Sequence, residues 1–249
     1  MSYFKYKNEN VYYCEIGTGK PVMFLHGNAV SSKMFKPILS LYKNNFKVIL
    51  IDFLGSGKSD RVETFDTDLW IDQGKQVTKL IKYLGYDKVN LIGTSGGAWA
   101  AINAALYCPE LINKVVADSF DGRKIGDTFK EDLIEERISA KKSIFTKYFY
   151  KWCHGEDWEN PVDKDTEVLI KMAEEDVPLF YRPIKELSVP LLLTGSMKDE
   201  MIKKDFITEY EEIIFEIGAG DIHIFEKGKH PAIISNAKEA SKIIIDFLK

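Results

Sequence analysis

Cysteine is scarce in this chain: Cys14, Cys108 and Cys153 stand far apart among 249 residues. An odd, scattered set builds neither a disulfide framework nor a zinc-ligand cluster, and it fits a reducing compartment. Basic residues are not in excess. Lys and Arg number 34 against 38 Asp and Glu, leaving a net charge of −4 with histidine neutral, a balance that disfavours a nucleic-acid partner. No uninterrupted apolar run reaches the ~20 residues of a membrane span, and the opening residues Met1 to Glu9 lack the basic-then-apolar layout of a secretory signal. The expectation is a cytoplasmic protein that engages neither membrane nor nucleic acid. What is present is 45% hydrophobic and 29% charged residues, enough for a real core in one large domain or one domain carrying an insertion.

Short apolar, β-branched runs recur: Pro21–Leu25, Lys47–Asp52, Lys88–Ile92, Lys114–Ala117 and Val189–Thr194. Glycine-rich punctuation and a stretch of helical spacing follow them, the pattern of parallel strands joined by crossover helices. Tyr3–Ile16 reads as an edge hairpin and Phe215–Phe225 as a last strand region. From about Gly122 to Ser188 the rhythm breaks. No convincing strand occurs there, and Ile144, Phe145, Tyr148, Phe149 and Trp152 recur at helical spacing. Pro178 and Pro183 punctuate the return. The expected division is therefore a first core part at 1–121, a helical cap at 122–188 and a second core part at 189–249.

Gly93-Thr94-Ser95-Gly96-Gly97 lies where a buried strand meets a small-residue helix, so it fits the G-x-S-x-G pattern in the context that pattern requires. A sharp strand-to-helix turn leaves no room for side chains beside the nucleophile, hence Gly93 and Gly97, while Ser95 projects its hydroxyl. A serine hydroxyl is a poor nucleophile without a base. Four histidines are available: His26, His154, His223 and His230. His230 follows the last expected strand, in a loop that can reach the carboxyl ends of the strands, and is chosen as the base. His223 alternates with Ile222 and Ile224 as a half-buried strand residue, and His154 reads as a surface or lid residue. Asp199, after the penultimate strand, is the carboxylate that would fix the imidazole tautomer and stabilise the imidazolium. Asp118 and Asp121, after the preceding strand, are its competitors.

Charge develops on the carbonyl oxygen during attack, and two backbone N–H groups aimed at it would stabilise it. Gly96, directly after Ser95, supplies one; Asn28, in the loop His26-Gly27-Asn28, supplies the other. His26 is then a structural hydrogen-bonding residue.

Together His26-Gly27-Asn28, the segment Asp52–Ser59, Gly93–Gly97, Asp199 and His230 resemble the α/β-hydrolase superfamily over nearly the whole chain outside the insertion. The resemblance implies an α/β-hydrolase fold, with a mostly parallel central sheet flanked by helices and an inserted helical cap. It also implies a triad of Ser95, Asp199 and His230, with an oxyanion hole from Asn28 and Gly96. It leaves the substrate open, since the superfamily spans esterases, lipases, thioesterases, lactonases, peptidases, C–C bond hydrolases and acyltransferases.

Other signals are weaker. Gly57-Lys58-Ser59 is not a phosphate-binding loop, because the position of that motif's first glycine holds Asp52. The loop after His26 resembles that of haloalkane dehalogenases, but those enzymes use an aspartate where this chain has Ser95. Phe145, Tyr148, Phe149, Trp152, Trp158, Phe180 and Tyr181 either pack the cap onto the core or line an acyl pocket beneath it. Glu131-Asp132, Glu135-Glu136 and Glu174-Glu175-Asp176 read as solvated helix faces. The expected activity is that of a serine hydrolase on a small ester or related acyl compound, needing no cofactor or metal because the carbonyl is already electrophilic. A peptidase, a C–C hydrolase, an acyltransferase and a slow-turnover ligand-binding protein are the alternatives.

Overall fold

The protein is described by a computed structural model covering residues 2–249. Eight strands form one sheet in the order β1-β2-β4-β3-β5-β6-β7-β8. They are β1 (Ser2–Tyr6), β2 (Glu9–Ile16), β3 (Lys20–Leu25), β4 (Phe46–Ile51), β5 (Val89–Thr94), β6 (Ile112–Asp118), β7 (Leu191–Ser196) and β8 (Asp221–Phe225). β1 and β2 pair antiparallel, as do β2 and β4, while β4-β3-β5-β6-β7-β8 run parallel. This is the α/β-hydrolase architecture, with the expected hairpin at one edge.

The central strands are buried because both faces are covered. Along β3, Val22 and Phe24 join one apolar cluster and Met23 and Leu25 the other, as period-2 alternation requires. α1 (Leu39–Tyr42), α8 (Ala232–Ser235) and α9 (Ala237–Leu248) lie with the first cluster. α2 (Leu69–Leu84), α3 (Gly96–Tyr107) and α7 (Phe206–Ile217) contribute to the second.

α3 is apolar apart from Asn103 and Tyr107 and almost wholly buried, as a helix enclosed on nearly every side must be. Its alanines keep it close to the sheet and to α2. There a Cβ on Gly74 would stand 2.8 Å from the Ala104 nitrogen.

One expected element is redrawn. Phe215 to Ile217 belong to α7, and only Asp221–Phe225 is strand. The apolar residues Phe206, Tyr210 and Ile213 recur at helical spacing on the buried face of α7, leaving Phe215 89% exposed. Gly218 then ends the helix in the left-handed conformation that glycine adopts without strain.

Between β6 and β7 the chain forms α4 (Phe129–Lys142), α5 (Ile144–His154) and α6 (Glu159–Glu175), with no strand. Ser143 caps α5 by accepting from the Thr146 N–H at 3.2 Å.

Candidate active site

Ser95 sits between β5 and α3 with φ 54° and ψ −128°, a region disfavoured for a residue with a Cβ. The turn is held by the Ser95 N–H donating to the Asp118 carbonyl at 2.8 Å and the Ala98 N–H donating to the Ser95 carbonyl at 2.8 Å. A Cβ on Gly93 would come within 2.0 Å of the Gly97 carbonyl oxygen, and one on Gly97 within 2.1 Å of the Leu25 carbonyl oxygen. No side chain fits at either position. The two glycines are steric requirements of the bend that exposes Ser95.

His230 follows β8, and Asp199 follows β7. His230 Nδ1 lies 2.9 and 3.0 Å from the two carboxylate oxygens of Asp199. The Asp199 side chain is fully buried, and the imidazole is 10% exposed. Local bonds fix both loops. Ser196 Oγ donates to the Lys227 carbonyl at 2.8 Å, joining the two loops, and the Met201 N–H donates to Asp199 Oδ1 at 3.0 Å. An acceptor at Nδ1 selects the tautomer in which Nδ1 carries hydrogen, freeing Nε2 to take a proton.

Ser95, His230 and Asn28 line one mostly apolar cavity of about 420 Å³. Ser95 and His230 both line that cavity, with no hydrogen bond between their side chains. Gly96 opens α3 directly after Ser95. Its N–H is one of the helix N-terminal donors with no intrahelical acceptor, and among the described residues the Asn28 N–H donates to no backbone carbonyl. The Asn28 side chain packs on Gly96, where a Cβ would stand 1.8 Å from Asn28 Oδ1.

The competing acids have other partners. Asp118 accepts from Thr94 Oγ1 at 2.7 Å, Thr194 Oγ1 at 2.7 Å and the Ile233 N–H at 3.2 Å. Burial pushes its carboxyl above the ordinary range. Asp121, also raised by burial, accepts from the Lys203 N–H at 2.8 Å. His26 has the structural surroundings expected of it: Nδ1 donates to the Gly27 carbonyl at 2.8 Å and Nε2 accepts from the Phe53 N–H at 3.1 Å. Burial holds it neutral by lowering its pKa. His223 is half-buried in β8.

His154 is not a surface residue. It is 5% exposed, with Nδ1 accepting from the Gly57 N–H at 3.0 Å and Nε2 donating to the Ala29 carbonyl at 3.0 Å. Burial pushes its pKa down to about 4. Two polar groups of α4 and α6 also escaped notice in the sequence, Arg137 and Asp165, joined at 3.3 Å in the interior. Glu136, read as part of a solvated face, reaches the cavity and pairs with Arg137. The aromatic set divides. Phe149 and Trp152 line the cavity, Trp158 stacks on Tyr150 at 5.6 Å, Tyr181 packs on Tyr107 at 5.1 Å, and Phe145 and Tyr148 are 82% and 71% exposed. Glu174 pairs with Lys130 at 2.5 Å and Glu175 with Lys171 at 3.7 Å. Among the described residues no cluster of His, Cys, Asp or Glu is arranged to hold a metal, and no helix is long and apolar enough to cross a membrane.

Comparison with known proteins agrees with this architecture. A 2-(acetamidomethylene)succinate hydrolase of Mesorhizobium japonicum is 31% identical over 132 residues, which is 53% of this chain and 46% of that relative. A 2-hydroxy-6-oxo-6-phenylhexa-2,4-dienoate hydrolase of Burkholderia cepacia is 32% identical over 269 residues, covering 97% of this chain and 92% of that protein. A solved hydrolase of Pseudomonas aeruginosa shares the fold with a TM-score of 0.79 at 14% identity, over 99% of this chain and 97% of its own. Residues 20–154, more than half of the chain, match the alpha/beta hydrolase fold family, and the chain belongs to that family.

Proposed function

We propose that this protein is a serine hydrolase that cleaves a small ester or related acyl compound through an acyl-enzyme on Ser95. The observation that carries the reading is the His230–Asp199 pair at 2.9 Å, whose imidazole lines the same mostly apolar cavity as a sharply turned Ser95. In this mechanism His230 Nε2 takes the Ser95 proton as Oγ attacks the carbonyl carbon, and Asp199 stabilises the imidazolium so formed. The Asn28 and Gly96 N–H groups receive the oxyanion. The imidazolium then protonates the leaving group, and water, activated by the same imidazole, releases the acid. The helices of 122–188 act as a cap, with Phe149 and Trp152 forming part of the wall that meets the acyl or aryl group.

The test is reaction of the folded protein with a fluorophosphonate followed by peptide mapping. An adduct at Ser95 is expected; its absence contradicts the reading. Hydrolysis rates across p-nitrophenyl esters of increasing chain length would then report how much of the cavity an acyl chain fills. A second reading, cleavage of a C–C bond beside a ketone on the same triad, draws support from the 32% identity to the Burkholderia cepacia hydrolase. It predicts faster turnover of a 6-oxo dienoate than of any p-nitrophenyl ester. For an aminopeptidase, Glu174 and Glu175 bond to surface lysines rather than facing an amine site, and Glu136, a carboxylate that does reach the cavity, is already paired with Arg137.

A further inference from the structure

The loop that carries Asn28 is held largely by side chains from α5 and α6. Ala29, the next residue, is 4% exposed and has φ 56°, a left-handed conformation that a residue with a Cβ keeps only where its surroundings impose it. The surroundings are specific. The Ala29 carbonyl accepts from His154 Nε2 at 3.0 Å. Asn28 Nδ2 donates to Asp165 Oδ1 at 2.8 Å, and Asn28 Oδ1 accepts from Trp70 Nε1 at 3.2 Å. Both clamping side chains are themselves fixed. The Gly57 N–H at 3.0 Å commits His154 Nδ1 to accepting, so the hydrogen is on Nε2. Arg137 Nη2 meets Asp165 Oδ2 at 3.3 Å and is held in turn by Thr166 Oγ1 at 3.1 Å on its Nε.

We propose that His154 and Asp165 are positioning residues for the oxyanion hole: they clamp the Ala29 peptide and the Asn28 side chain, and thereby aim the Asn28 N–H at the developing oxyanion. The helical segment then supplies catalytic geometry as well as a pocket wall. This inference rests on the serine-hydrolase reading. Its energetic signature follows from geometry, since an oxyanion donor acts at 2.7–3.1 Å from an atom position reached only in the transition state. Loosening the loop weakens the transition state and leaves ground-state binding almost untouched.

Two variants of His154 separate positioning from bulk stability. In His154→Asn the side-chain oxygen can still accept from Gly57, but nothing reaches the Ala29 carbonyl. In His154→Gln the longer amide can still donate to Ala29, and the Gly57 contact is lost. With p-nitrophenyl acetate as probe, H154N is expected to lower kcat by about tenfold or more, as partial loss of an oxyanion donor does, with KM within about twofold. Phenylboronic acid, which forms a tetrahedral adduct on serine, should lose affinity by a similar factor. H154Q should recover at least about threefold of that kcat. If neither His154 variant folds, Asp165→Asn carries the same kcat and boronate test. Equal kcat in H154N and H154Q, or a rise in KM with unchanged kcat, overturns the clamp. Fluorophosphonate labelling of the wild type keeps the two ideas apart: no adduct at Ser95 overturns the hydrolase reading itself, whereas an adduct with undiminished H154N turnover overturns the clamp alone.

Discussion

The sheet and the helical segment between β6 and β7 share one apolar core but differ in what fixes their backbones. In the sheet, every residue of β5 and β7 is buried, and parallel ladders fix where each strand ends, so the loops that carry Ser95 and Asp199 inherit positions set by the whole core. The helical segment places Leu133, Val168, Leu169 and Met172 in the apolar cluster it shares with the sheet, and polar side chains add further ties to the core. Besides His154 and Asp165, Arg61 meets Asp157 at 2.8 Å, and Lys164 donates to the Val62 carbonyl. Ser95 and Asp199 sit where ladders over-determine the backbone, and the segment that shapes the cavity is held by side-chain packing and polar ties instead. Substitutions in the two regions should therefore fail in different ways.

The largest contrast is expected from Asp199→Asn in the core. Loss of the carboxylate leaves His230 in the wrong tautomer, and kcat for an activated ester should fall by about 10³–10⁴-fold with little change in the thermal midpoint. A drop smaller than tenfold would move the role of the acid elsewhere. Gly97→Ala should act through stability instead. Its Cβ would be placed 2.1 Å from the Leu25 carbonyl oxygen, a backbone clash that cannot relax by rotamer change, so unfolding in urea should show a loss of about 3 kcal/mol or more.

On the helical side the effect should depend on pH. The folded-state pKa of His154 is about 4 against an ordinary 6.5. On acidification the unfolded chain therefore takes up this proton first. The His154 contribution is complete above about pH 6.5 and is lost as the pH falls towards 4. Over that window the wild type should lose about 2–3 kcal/mol more than H154N, as read by denaturant unfolding at each pH. The raised carboxyls of Asp118 and Asp165 have the opposite sign; they are present in both proteins and largely cancel in the difference. Parallel pH profiles would contradict the buried, neutral state of His154. The smallest effect is expected at Phe145 and Tyr148, which project into solvent: their replacement by Ser should change stability by less than about 0.5 kcal/mol.

Legibility in the sequence follows the same division. The strands at Pro21–Leu25, Lys47–Asp52, Lys88–Ile92, Lys114–Ala117 and Val189–Thr194 all overlap β3 to β7, because a strand buried on both faces must be an unbroken apolar run. Ser95 stood out because a steric bend demands glycines at fixed offsets. Only four histidines competed for the role of base, and the structure brings His230 against Asp199. The end of α7 was harder, since Ile213-Ile214-Phe215 suits a strand or a helix equally well. His154, Arg137 and Asp165 were hidden for another reason. A buried charge in an amphipathic helix has the same spacing as a solvated one, and the partners are remote in sequence: Asn28 and Asp165 are separated by 137 positions.

The most direct measurement compares turnover of a p-nitrophenyl ester by wild-type protein and Ser95→Ala at matched thermal midpoints. The mechanism predicts a loss of about 10⁴-fold or more with the fold intact. An S95A protein that still turns over at a rate within tenfold of the wild type would contradict it.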